Sequence, residues 1–117
     1  MDKLVEATSI YLIGQIKAGV NAIQLFDSWS SVLTPSEFDK WVIDPAQKIV
    51  KNIHDFAPGF PIIGFPKGAG VMTLPYVEKT GIDGIGIDAQ TPTSWVAENL
   101  QPHLCVQGNL DPLALLC

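Results

Sequence analysis

The sequence contains no arginine: all seven of its basic residues are lysines. It therefore has no guanidinium fork to offer a carboxylate or a phosphate. A formal net charge of −5 argues against nucleic acid and anionic membrane as partners. Cysteine is scarce. Cys105 and Cys117 make no disulfide framework, which points to a reducing cytoplasm. No apolar run approaches the roughly 20 residues that cross a bilayer. Asp2 and Glu6 interrupt any basic, apolar leader, so no signal peptide is expected. What the 117 residues do have is a 47% hydrophobic fraction, enough for one domain, 1–117, with a packed core.

Helix and strand signals alternate along the chain. Residues 3–18 read as a helix with Leu4, Val5, Leu12, Ile13 and Ile16 on one face, Asp2 as its cap and Gly19 as its left-handed stop. Val20–Phe26 is an apolar run too short for a helix. Thr34-Pro35-Ser36-Glu37 spells a capping box with proline at the first helical position. Asp44-Pro45 repeats that pattern, which predicts two consecutive helices, since a proline inside one would break its ladder. Further apolar runs at Phe60–Phe65, Ile82–Ile87 and Leu104–Val106 alternate with helices that end near Gly81 and start at Thr91-Pro92, the latter burying Trp95, Val96 and Leu100. Asp111-Pro112 opens a last helix that stops after six residues. The expected fold class is α/β: a parallel sheet with helical crossovers, its Val20–Phe26 and Ile62-Ile63 stretches buried on both faces.

In such folds ligands sit at the carboxyl ends of the strands. There the chain places Asp27 and Ser28, then Lys67, then Asp88, then Gln107 and Asn109; the opposite ends carry Gly19, Gly59, Gly81 and Pro102. The alternative reading is local: Asp and Ser after a strand often bond the loop backbone. Asp27 and Asp88 could form an acid–base pair, Lys67 a Schiff base, and Lys67-Gly68-Ala69-Gly70 an anion nest. His103-Leu104-Cys105 reads as half a zinc site, with a buried cysteine and a surface histidine as the plainer reading. Ser28 has no glycine elbow and no evident histidine partner, which disfavours a hydrolase triad.

Four ordered stretches, "AGVNAIQLFDSWSSVLTPSEF" (18–38), "PIIGFPKGAG" (61–70), "TGIDGIGID" (80–88) and "VQGNLDP" (106–112), resemble the uroporphyrinogen decarboxylase family. The resemblance implies a TIM barrel of which this chain is a partial segment, about four of eight βα units, its fourth to seventh strands. It implies an enzyme of haem biosynthesis that removes the four acetate carboxyl groups of uroporphyrinogen III to give coproporphyrinogen III, as a homodimer and without metal or organic cofactor. One binding residue carries over: Ser28, as a hydrogen-bond partner of a substrate carboxylate. No catalytic residue carries over. The family's arginine-rich substrate loop, its pyrrole-binding aspartate, its binding tyrosine and its C-terminal histidine have no counterpart here, and Ala89 stands where many relatives carry an aromatic. The related corrinoid methyltransferases bind zinc through His-x-Cys in the strand equivalent to 61–65, which here reads Pro-Ile-Ile-Gly-Phe.

A substrate with eight carboxylates calls for guanidinium forks, so this acidic, arginine-free polypeptide is expected not to decarboxylate alone. Its end at Cys117 reads as a truncated or split chain, with that cysteine an accident of truncation. Four strands do not close a barrel, so both edges and an inner face that includes Ile23, Leu25 or Ile63 are expected to lack cover. Self-association, complementation by missing parts, or an open layer that survives alone would follow. Two other functions compete: a non-catalytic half-barrel acting only through assembly, and an unrelated barrel enzyme using Asp27, Lys67 and Asp88.

Overall fold

In a computed structural model that describes residues 1–116, the first helix, α1 (Asp2–Lys17), buries Val5, Ser9 and Leu12, spaced to share one helical face. Leu4 falls outside this stripe and is 64% exposed, because the face that meets α3 is centred on Val5 and Leu12. Asp2 is not a cap; it lies in the first turn, 3.6 Å from the Lys48 ammonium. Gly19 takes the positive φ of +98° that the sequence reserves for it.

The stretch from Pro35 to Phe56 is one helical run rather than two helices. A single turn, α2 (Pro35–Phe38), passes into a π-helical turn at Asp39–Ile43 and on into α3 (Asp44–Phe56) without leaving helical backbone angles. The Asp44 amide donates to the Asp39 carbonyl, five residues back. This wider turn admits Pro45, which has no N–H to donate. The capping box does not form. Thr34 is the N-cap and Pro35 the first helical residue, but no side chain bonds the free amides. The Glu37 carboxylate instead accepts from the Trp41 indole one turn on. Asp44 caps nothing, since the helix is already under way.

Four strands, β1 (Ile23–Asp27), β2 (Ile62–Pro66), β3 (Gly84–Ile87) and β4 (Cys105–Gly108), pair in sequence order and all in parallel. Helices α4 (Thr73–Thr80) and α5 (Thr93–Asn99) bridge the later strands. A sheet that grows by one parallel neighbour per β/α unit is the arrangement barrels use. It is α/β, and consistent with part of a β/α barrel. The last turn, Pro112–Leu115, is a 3-10 helix held by an Asp111 carboxylate–Leu113 amide bond. Cys117 lies outside the described residues.

The two faces of the sheet differ. Ile23, Ile62, Ile85 and Ile87 join Phe38, Val42, Val50, Ile53, Tyr76, Val96 and Leu100 in one core, with Leu25 and Val106 packed against it. On the other parity, Gln24, Ile63, Gly84 and Cys105 lie in adjacent register. Phe26 is 67% exposed and meets the Phe65 ring edge-on at 5.6 Å. The expectation of strands buried on both faces therefore fails. So does the placing of Ile23 and Leu25 on the uncovered face: both point to the helices, and Ile63, Phe26 and Phe65 occupy the bare side. Parallel sheets normally carry cover on both faces; here the described residues provide it on one.

Candidate functional site

All four strands end at the same side of the sheet, and their loops are tied together there. Asp27 closes β1, and its carboxylate accepts from the Trp29 amide at 3.2 Å, a turn that folds the chain back over Ser28. The Asp27 carbonyl accepts from the Lys67 amide at 2.9 Å. Ser30, 1% exposed, donates its hydroxyl to the Lys67 carbonyl at 2.7 Å. In the next loop the Gly68 amide donates to the Asp88 carboxylate at 2.6 Å. Beyond β4, the Asn109 side-chain amide donates to the carbonyls of Asp88 at 3.2 Å and Thr91 at 2.9 Å. Asn109 is the sole non-glycine residue at positive φ among the described residues, at 79°.

These bonds settle what several candidate residues do. The anion held by Lys67-Gly68-Ala69-Gly70 is the protein's own Asp88. The Asp27 carboxylate serves its turn, on the strand parity that faces the helices, where it lines a cleft of about 320 Å3 with Tyr76, Leu25 and Trp41. Burial, and secondarily the Asp27 charge, hold the Tyr76 phenol above its ordinary pKa. Asp27 and Asp88 thus share the carboxyl end of the sheet but each answers a separate backbone amide. Lys67 contributes its main chain twice to the β1 loop while its side chain is exposed. Ser28 is exposed, and its hydroxyl has no hydrogen-bond partner among the described residues. With the Lys67 ammonium and the exposed Gln107 side chain, it is among the polar groups of this rim left available to a ligand.

Of the His103-x-Cys105 pair, the surface histidine is as expected and the buried cysteine is not. His103 lies in the turn before β4, and Cys105 is exposed on the bare face rather than buried, because β4 is the edge strand. No group of three His, Cys, Asp or Glu side chains among the described residues is placed to hold a metal. No helix among them is long and apolar enough to cross a membrane. Ser30 and Tyr76 were the residues that sequence reading passed over. A serine two positions beyond the exposed one was the available signal for the first.

A parallel β/α chain with its polar loops gathered at the carboxyl ends of the strands belongs to the class of scaffolds that bind ligands on that rim. Comparison with known proteins narrows the class. The family model "Uroporphyrinogen decarboxylase (URO-D)" matches residues 1–117, and the chain belongs to that family. It is 52% identical over 116 residues to the uroporphyrinogen decarboxylase of Rhodospirillum rubrum, covering 99% of this chain and 33% of the relative. It is 52% identical to that of Rhizorhabdus wittichii, over 99% of this chain and 34% of the relative. With that of Mesorhizobium japonicum it shares 47% over 113 residues, 97% of this chain and 33% of the relative. The chain spans about a third of the length of the curated relatives it matches.

Proposed function

We propose that this chain is the central segment of a TIM-barrel uroporphyrinogen decarboxylase, supplying about four of its eight β/α units. In the complete enzyme, a cytoplasmic homodimer needing no metal or organic cofactor, the four acetate side chains of uroporphyrinogen III are lost to give coproporphyrinogen III. The observation that carries this reading is the family match along the whole chain, on four β/α units whose rim leaves the Ser28 hydroxyl unpaired. Ser28 donates that hydroxyl to a substrate carboxylate. Such a bond orients the substrate; the groups that neutralise the other carboxylates and stabilise the cationic pyrrole intermediate come from outside these 117 residues.

The test is an anaerobic assay with uroporphyrinogen. The segment alone is expected to show no turnover above the buffer blank. A chimera in which the segment replaces the matching 116 residues of the Rhodospirillum rubrum enzyme is expected to decarboxylate. An inactive chimera that folds would overturn the assignment.

A second reading, a non-catalytic half-barrel acting only through assembly, is favoured by the bare sheet face around Phe26 and Phe65. Failure of every chimera together with concentration-dependent association of the segment would select it. The third reading, an unrelated enzyme built on Asp27, Lys67 and Asp88, draws little support from carboxylates already committed to Trp29 and Gly68.

A further inference from the structure

We propose that Ser30 and Asp88 are positioning residues for Ser28. This rests on the reading of Ser28 as a substrate-binding hydroxyl. The main chain of Lys67 grips the β1 loop on both sides of Ser28, through the peptide groups before and after its Cα. Its N–H donates to the carbonyl of Asp27, the residue before Ser28, at 2.9 Å. Its C=O accepts from the hydroxyl of Ser30, two residues after, at 2.7 Å. Ser28 and Trp29 form the short arc between those two points, tightened by the Trp29 amide on the Asp27 carboxylate.

A grip is only as firm as the residue that applies it, and Lys67 sits in a loop containing two positive-φ glycines, Gly68 and Gly70. Asp88 supplies the anchor: its carboxylate takes the Gly68 amide at 2.6 Å, across from the next strand, a charge-assisted bond stronger than an ordinary amide–carbonyl pair. Asp88 is itself tied down, its carbonyl accepting from Asn109 beyond β4. Gly68 packs so closely on Ser31 that a Cβ there would come within 2.7 Å of the Ser31 Cβ. The rim is thus a brace running β4 loop to β3 loop to β2 loop to β1 loop, and it ends on Ser28. Ser30 is buried, so it binds no substrate; it fixes the residue that does. Lys67 acts through its main chain, which leaves its ammonium free of any positional duty.

The test uses nitrogen-15 relaxation and amide exchange on the chain itself. In the wild type, Ser28 and Trp29 are expected to show the order parameter of rigid backbone, about 0.85, and the Gly68 amide to be protected. Ser30→Ala and Asp88→Ala should lower Ser28 and Trp29 to about 0.6 or less, while Ile85 in β3 stays rigid. Asp88→Asn, which keeps an oxygen acceptor, should restore most of the order and most of the Gly68 protection. In the chimera, Ser30→Ala and Asp88→Ala should raise KM for uroporphyrinogen about tenfold with kcat within about twofold. Unchanged Ser28 order in both alanine variants, or loss of order throughout the sheet, overturns the brace. A normal KM alongside a mobile Ser28 overturns its positioning role. An inactive wild-type chimera strikes the decarboxylase reading, and the relaxation data still decide whether the brace exists.

Discussion

Gly64 has no room for a side chain. A Cβ there would lie 2.6 Å from the Tyr76 ring and 2.9 Å from Ile82 Cδ1, in a core that includes both residues. Gly64→Ala is expected to lower the stability of the chain by about 1–3 kcal/mol, the range for overpacking a filled interior, read as a lower urea midpoint at unchanged slope. Gly84, whose nearest contact would be 3.5 Å, is the control and should tolerate alanine. Tyr76, buried above this glycine at 3% exposure, gives the chain a pH dependence of its own. Burial first and the Asp27 charge second raise its pKa in the folded state. The folded chain therefore keeps the phenolic proton where the unfolded chain, ionising near pH 10, has begun to lose it. Stability is fully present below that pH and falls as pH rises from there toward the folded-state value. Urea midpoints should drop as pH rises above about 10, and Tyr76→Phe should remove that part of the drop. A variant with the same alkaline slope as wild type would show that another group is responsible.

At the scale of the elements, the turn after β4 hangs on one side chain. Asn109 holds a positive φ and donates its amide to the carbonyls of Asp88 and Thr91. Asn109→Gly relieves the backbone angle and deletes both bonds, so the two effects oppose each other. Two bonds at about 1 kcal/mol each outweigh the angle relieved, because asparagine is one of the few non-glycine residues that tolerates this region. A net loss of about 1–2 kcal/mol in urea unfolding is expected; a neutral or stabilising outcome would mean the bonds contribute nothing. The order of elements was legible because Pro58-Gly59, Pro66 and Gly81 punctuate the apolar runs, and the topology rule then put Asp27, Ser28, Lys67, Asp88 and Asn109 at one end. What these groups bond was not legible. Ser30 reaches Lys67 across 37 positions and Gly68 reaches Asp88 across 20, pairings that no local pattern encodes. The capping box misled for a related reason: Glu37 had a better partner in Trp41, one turn on. Strand parity separates Ile62 from Ile63 but does not say which face the helices cover, which is how Ile23 and Leu25 came to be placed on the bare side.

At the scale of the whole molecule, the bare face and the two strand edges set how the chain behaves in solution. Phe26, Ile63 and Phe65 line one side of a sheet whose other side is a complete core, and β1 and β4 each lack an outer neighbour in the described sheet. Apolar area without cover and unpaired edge backbone both favour association. The net charge of −5 opposes it, through repulsion that salt screens. Sedimentation should therefore give a mass above 12.6 kDa that grows with protein concentration and with salt. Phe26→Lys puts a cation on the bare face of an edge strand, a device natural sheets use to stay apart. Phe26 is 67% exposed, and its ring contact with Phe65 is worth only about 0.5–1.5 kcal/mol, so the variant should remain folded. Its mass should fall toward that of the monomer. If wild type and variant sediment alike at every salt concentration, association through this face is refuted, and the sheet stands as an open layer covered by helices on one side.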